Sequence, residues 1–200
     1  LRYKVLHLIF FMKQILGTAV IASALSVGAI EAANANNIAT TTSEKQTVCN
    51  TDTIVKNARN RTFGLIEGWE TGKNRLTYCR QGQLMMSAPT ATGKPHRDGG
   101  VYTPEGTFPV GRLEKNKVSG SYKNSQGRPA AMPNAVQVVR GIYAHAGKVF
   151  DAKGNVLKFP SHGCIRLTHA DSAKLFNFVQ ADRKTGTQVE MIIKGTDPRK

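Results

Sequence analysis

Ser161-His162-Gly163-Cys164-Ile165-Arg166 sets a cysteine beside a glycine, two residues after a histidine and two before an arginine. A second histidine stands upstream in Gly141-Ile142-Tyr143-Ala144-His145-Ala146-Gly147. The thiolate is the reactive form of cysteine, and a neighbouring imidazole can take the thiol proton. Gly163 lets the backbone bend sharply, and the main-chain N–H groups of Gly163 and Cys164 are candidates for holding an oxyanion.

Residues 146–160 separate the two motifs, enough for a loop or hairpin that returns the chain to Cys164. His145 is therefore the candidate base. Its other ring nitrogen needs an acceptor, and Ala146 offers no side-chain one, so a main-chain carbonyl has to serve. His162 is the second imidazole in reach, placed to tune the thiolate or contact substrate, and it is the alternative to His145 as base. Arg166 is a candidate carboxylate clamp, because guanidinium binds carboxylates bidentately. Two histidines and a cysteine also suggest zinc, but no fourth ligand has a suggestive spacing and no Cys-x-x-Cys pair occurs, so no metal or cofactor is expected.

The surrounding chain reads as short strands. Phe63–Ile66, Arg75–Arg80 and Gln83–Ser87 are three of them, the last two joined through Gln81-Gly82 as a hairpin. Thr107–Leu113 is a strand that Pro109 keeps at an edge or bulge. Ala135–Arg140 and Gly141–His145 follow, and Gln188–Lys194 closes the series. Thr51–Arg61 is weakly patterned as a short helix. One clear helix follows the cysteine, with Thr168 as N-cap, Asp171 three residues on, Ala173, Leu175, Phe176, Val179 and Ala181 as its apolar face, and Gly186 as its stop. The fold class is mainly β, a sandwich or half-barrel with one helix after the cysteine.

The N-terminus reads differently. Met12-Lys13-Gln14 opens an apolar run from Ile15 to Ile30 that closes at Ala33-Asn34-Ala35, the pattern of a secretory signal peptide over residues 1–35, with residues 1–11 a spurious extension. A membrane anchor is the alternative, disfavoured by the short, Ala- and Ser-rich run. Residues 36–60 are a polar leader with the short helix, and 61–196 the catalytic domain. The chain carries 28 Lys+Arg and 13 Asp+Glu; three and one of these fall in residues 1–35, leaving 25 against 12, a formal +13. Such an excess draws a protein to polyanions. No basic-aromatic pattern of a nucleic-acid reader is present, so the partner expected of an exported protein is anionic cell-wall polymer or membrane surface, with no membrane span after signal cleavage; a soluble surface with no special partner is the alternative.

The three cysteines are Cys49, Cys79 and Cys164. In an oxidising compartment Cys49 and Cys79, both in the N-terminal third, are the sensible pair, leaving Cys164 free. That closure adds roughly 3 kcal/mol in the chain-entropy description. Three free thiols, or a regulatory bond that traps Cys164, are the competing readings.

His145, the gap and Ser161–Arg166 together resemble the signature of the L,D-transpeptidase (YkuD-type) catalytic domain. Thr103-Pro104-Glu105-Gly106-Thr107-Phe108 resembles the T-P-x-G-x-F segment that precedes it in that family. The resemblance runs from about Leu76 to Lys194. It implies a mainly-β fold with the cysteine under a lid-like insertion, for which Tyr122–Met132 is a weakly matching candidate. It implies Cys164 as nucleophile, His145 as base, and Ser161, His162, Gly163 and Arg166 lining the site. Some members carry Ser or Gly where this chain has Ala146. The implied substrate is a peptidoglycan stem peptide, attacked at its L,D bond with release of D-Ala and joined 3→3 to a second stem, in the periplasm or cell wall. With water as acceptor the same site makes an L,D-carboxypeptidase. A sortase ranks lower, since sortases usually lack the His-Gly-Cys run, and a non-catalytic wall-binding module is the alternative of another class.

Overall fold

The computed structural model describes residues 48–67, 74–93 and 102–195. The expected signal peptide and the polar tract after it lie outside these residues. Nine strands and one long helix are present among the described residues: β1 (Thr62–Glu67), β2 (Arg75–Arg80), β3 (Gln83–Pro89), β4 (Gly106–Pro109), β5 (Leu113–Lys123), β6 (Pro129–Val139), β7 (Ile142–Ala146), β8 (Ile165–Leu167), α1 (His169–Lys184) and β9 (Val189–Ile193). They form a five-stranded sheet of order β3-β2-β1-β9-β4 and a four-stranded sheet of order β5-β6-β7-β8. The mainly-β reading with one helix after the cysteine holds.

Strand parity sorts the core. Ile66 of β1, Leu76 and Tyr78 of β2, and Met191 and Ile193 of β9 meet Val136, Val138, Ile142 and Ala144 of the second sheet and Leu175, Phe176 and Val179 of α1. The opposite parity, Phe63, Leu65, Cys79 and Ile192, covers a smaller cluster with Cys49, Val55 and Ala58. A disulfide joins Cys49 to Cys79 across that cluster, with Cα atoms 5.4 Å apart, and Cys164 is a free thiol. The β2–β3 turn is Gln81-Gly82, with both residues at positive φ (45° and 84°), as a two-residue hairpin requires. β4 with Pro109 lies at the sheet edge, as its proline demands.

Three local expectations need correction. Residues 51–61 do not form a helix; the segment is a series of turns ending in a single 3₁₀ turn, Ala58–Asn60. Asn57 adopts φ 57°, and Asp52 Oδ1 accepts the Ala58 N–H, so the side chains outcompete a helical ladder. In α1 the buried face carries Asp182 in place of Ala181, which is exposed. Asp182 is held there by the Tyr78 hydroxyl at 2.7 Å and Arg80 Nε at 2.6 Å. Third, Thr107–Leu113 is not one strand: β4 ends at Pro109, and Leu113 opens β5, an 11-residue strand of the other sheet whose pairing with β6 makes a long hairpin.

The helix itself starts and stops as its sequence signals. Thr168 Oγ1 accepts the Asp171 N–H at 3.1 Å and donates to the Asp171 carboxylate at 2.7 Å. Gly186 lies just past the end at φ 79°. No helix among the described residues is long and apolar enough to cross a membrane.

Candidate active site

β7 and β8 run parallel, with Ala144 opposite Ile165 and His145 opposite Arg166. Ile142 and Ala144 point into the core, so Tyr143 and His145 point the other way. There they line a cavity of about 500 Å³ with Ser161, His162, Cys164 and Arg166. Cys164 sits just before β8 and packs against Met132, Ala135 and Tyr143. The sequence-predicted residues thus converge, with Gly163 buried in the turn beneath them. No group of three or more His, Cys, Asp or Glu side chains that could hold a metal is found among the described residues.

The β5–β6 hairpin supplies another wall of the cavity through Lys117, Ser119, Tyr122 and Met132. Its Tyr122 ring stacks on His162, with centroids 4.2 Å apart. The Tyr122–Met132 lid candidate therefore covers the tip and returning strand of a longer element that begins at Leu113. The polar run Leu113–Lys123 hid this from sequence reading, because both its faces are largely exposed.

His145 is buried, and its Nδ1 lies 2.7 Å from the Ala146 carbonyl oxygen. A carbonyl only accepts, so Nδ1 carries the proton and Nε2 keeps its lone pair. The main-chain acceptor required by Ala146 is in place. Burial pushes the imidazole below its ordinary pKa; the bond to Ala146 opposes this and the Arg166 charge adds to it. Burial pushes the Cys164 thiol up, opposed by a hydrogen bond from the Tyr143 main chain and by the charges of Arg166 and Lys117. Both shifts favour the uncharged forms, an imidazole and a thiol, in two residues that line one cavity.

The turn that carries Cys164 is pinned by two hydroxyls. Ser161 Oγ donates to the Cys164 carbonyl at 2.5 Å and accepts the Gly163 N–H at 3.2 Å. Thr103, fully buried, donates to the Gly163 carbonyl at 2.8 Å and accepts the Gly93 N–H at 2.9 Å. Gly163 has φ 123°, a conformation that favours glycine. Residues after β3 back the turn: Ala91 and Arg166 exchange both main-chain hydrogen bonds, at 3.0 and 2.7 Å, and Gly93 bridges Ser161. In the sequence Thr103 only opens a motif; a lone threonine 60 residues before Gly163 carries no local signal of what it will touch.

The model of the L,D-transpeptidase catalytic domain (YkuD) matches residues 69–191, more than half of the chain. The chain belongs to the L,D-transpeptidase catalytic-domain family. Its fold is similar to that of an L,D-transpeptidase from Stackebrandtia nassauensis, at a TM-score of 0.54 and 17% identity, covering 75% of this chain and 63% of that one. It is likewise similar to an L,D-transpeptidase from Mycobacterium smegmatis, at a TM-score of 0.50, 20% identity and coverage of 68% and 59%. The LD transpeptidase LdtMt1 in complex with imipenem gives a TM-score of 0.50 at 24% identity, covering 66% of this chain and 58% of that one. The chain thus spans about three fifths of the length of these L,D-transpeptidases. No curated protein matches it. At these identities the likeness carries the transpeptidase fold; the chemistry has to be argued from the residues.

Proposed function

We propose that this chain is an exported cysteine acyl-transferase that forms 3→3 cross-links in peptidoglycan, with residues 61–196 as its catalytic domain. The observation that carries the mechanism is the His145 Nδ1–Ala146 carbonyl bond, which leaves Nε2 as the bare ring nitrogen of a residue lining the same cavity as Cys164. Nε2 takes the thiol proton as Sγ attacks the carbonyl between a meso-diaminopimelate-type residue and the terminal D-Ala. The imidazolium then protonates the leaving D-Ala amine, and the acyl-enzyme is resolved by an amine of a second stem. The reaction is ping-pong, and general base and acid are one residue. Because both groups start neutral, charge separates only as the thiol adds, with Arg166 and Lys117 close enough to favour the anion.

Charge supports an acidic peptide as substrate. Arg112, Lys117, Arg140 and Arg166 line the cavity, and among the described residues none that lines it is acidic. Lys117 is shared with Glu114 at 3.0 Å, so the arginines are the available carboxylate partners. The basic surface and the disulfide both suit an exported protein working at an anionic wall.

The deciding experiment incubates the protein with disaccharide-tetrapeptide and weighs the products. A cross-linked dimer supports the transpeptidase. Tripeptide alone assigns the L,D-carboxypeptidase, in which water resolves the same acyl-enzyme. No product, with wall binding that survives Cys164→Ala, assigns a binding module.

A further inference from the structure

A trans peptide plane holds its C=O and N–H antiparallel, so fixing one fixes the other. Three consecutive planes run through the cysteine turn. The 162–163 plane is held by Gly163 N–H on Ser161 Oγ, and the 164–165 plane by Cys164 C=O on the same hydroxyl. The middle plane, 163–164, is held by the Thr103 hydroxyl on the Gly163 carbonyl. With Gly163 N–H given to Ser161, the Cys164 N–H is the remaining one of the two donors proposed for an oxyanion. We infer that Thr103 is the positioning residue of the oxyanion site: by drawing the Gly163 carbonyl backward it turns the Cys164 N–H toward the substrate.

The surroundings are built for this one contact. The Thr103 hydroxyl has one proton, and because it accepts the Gly93 N–H at 2.9 Å, that proton goes to the Gly163 carbonyl. Gly93 allows the close approach: a Cβ there would lie 2.4 Å from Gly163 N, 2.6 Å from its Cα and 3.1 Å from Thr103 Oγ1. Thr103 is fully buried, so water does not substitute for the hydroxyl. Thr103 itself touches neither thiol nor imidazole in the hydrogen-bond network, and acts through the plane it holds.

This inference rests on the acyl-transfer reading, and a pair of reagents tests the two separately. A carbapenem acylates the thiol: Sγ bonds to the lactam carbonyl carbon, the ring C–N bond breaks, and the thiol proton ends on the ring nitrogen, through a transient oxyanion. Iodoacetamide alkylates the same thiol by displacing iodide at a saturated carbon, with no oxyanion. Thr103→Val is expected to slow carbapenem acylation of Cys164 by about 100-fold, the usual effect of losing one oxyanion donor. Its alkylation rate should stay within about twofold, because the thiol itself is untouched. Thr103→Ser, which keeps the hydroxyl, should recover acylation to within about threefold and serves if the valine variant does not fold, compared then with Thr103→Ala. Acylation and alkylation falling together, or acylation unchanged in a folded Thr103→Val or Thr103→Ala, would overturn the assignment. A wild-type protein that alkylates at Cys164 yet never acylates would overturn the acyl-transfer reading instead.

Discussion

The Tyr122 ring lies flat on the His162 imidazole, 17° from parallel, and so fastens the tip of the β5–β6 hairpin to the segment that carries the thiol. Farther along the same hairpin, Met132 and Ala135 of β6 pack against Cys164 itself. Tyr122 is 38% exposed, and Val118, earlier in β5, 55%, so little else packs the tip down. A stacked pair of this kind is worth about 0.5–1.5 kcal/mol. Tyr122→Ala should therefore raise KM for the stem peptide by about two- to tenfold with kcat nearly unchanged, in steady-state kinetics. A drop in kcat alone would argue that the ring serves the chemistry and not the closure.

The resting pair sets the pH behaviour. His145 is pushed down and Cys164 up, both chiefly by burial. Activity should fall on the acid side only below the ordinary histidine range, as the imidazole takes a proton. Alkylation by iodoacetamide should keep rising beyond the ordinary thiol range, because the thiolate forms late. A thiolate–imidazolium pair would instead show fast alkylation well below pH 7, which rate measurements across pH would reveal. Stability follows the same signs. The depressed imidazole costs stability as pH falls through the unfolded-state histidine value, and the raised thiol costs it as pH rises through the unfolded-state cysteine value.

The disulfide and the Cys164 thiol are separable. Cys49 and Cys79 are buried in the smaller cluster with Phe63, Leu65 and Ile192, while Cys164 lies in the other sheet's cavity. Replacing both with serine should cost about 3 kcal/mol of unfolding free energy in denaturant titration. Carbapenem acylation of the folded fraction should keep its rate. Thiol titration of the unfolded, unreduced wild type should find a single thiol.

Asp182 gives a stability test far from the thiol. Its two oxygens hold the Tyr78 hydroxyl and Arg80, joining α1 to β2. Asp182→Ala leaves a buried hydroxyl unpaired and should cost about 2–3 kcal/mol. Double substitution with Tyr78→Phe should recover part of that loss, and strict additivity in the cycle would argue against coupling.

Legibility in the sequence followed the range of the interaction. The α1 cap, the Gln81-Gly82 turn and the edge placement of Pro109 are local, and each was readable from neighbours in the chain. His145 and Cys164 were readable as a pair because few residue types supply an imidazole or a thiol, and both line one cavity. β5 was not, since a hairpin with largely exposed faces has no apolar alternation to display. Asp182 was missed because its burial depends on Tyr78 and Arg80, about a hundred residues away. Thr103 was visible as a letter in a motif, but its partner carbonyl at Gly163 belongs to the fold.

The acceptor that orients His145 belongs to the main chain, and this changes what genetics can see. Every residue at position 146 brings the same carbonyl, so no side-chain replacement removes the contact. Ala146 is 2% exposed, which leaves volume as the property that selection reads there. A mutational scan would accordingly record position 146 as a site of steric tolerance, while the carbonyl that orients the His145 imidazole stays invisible to it.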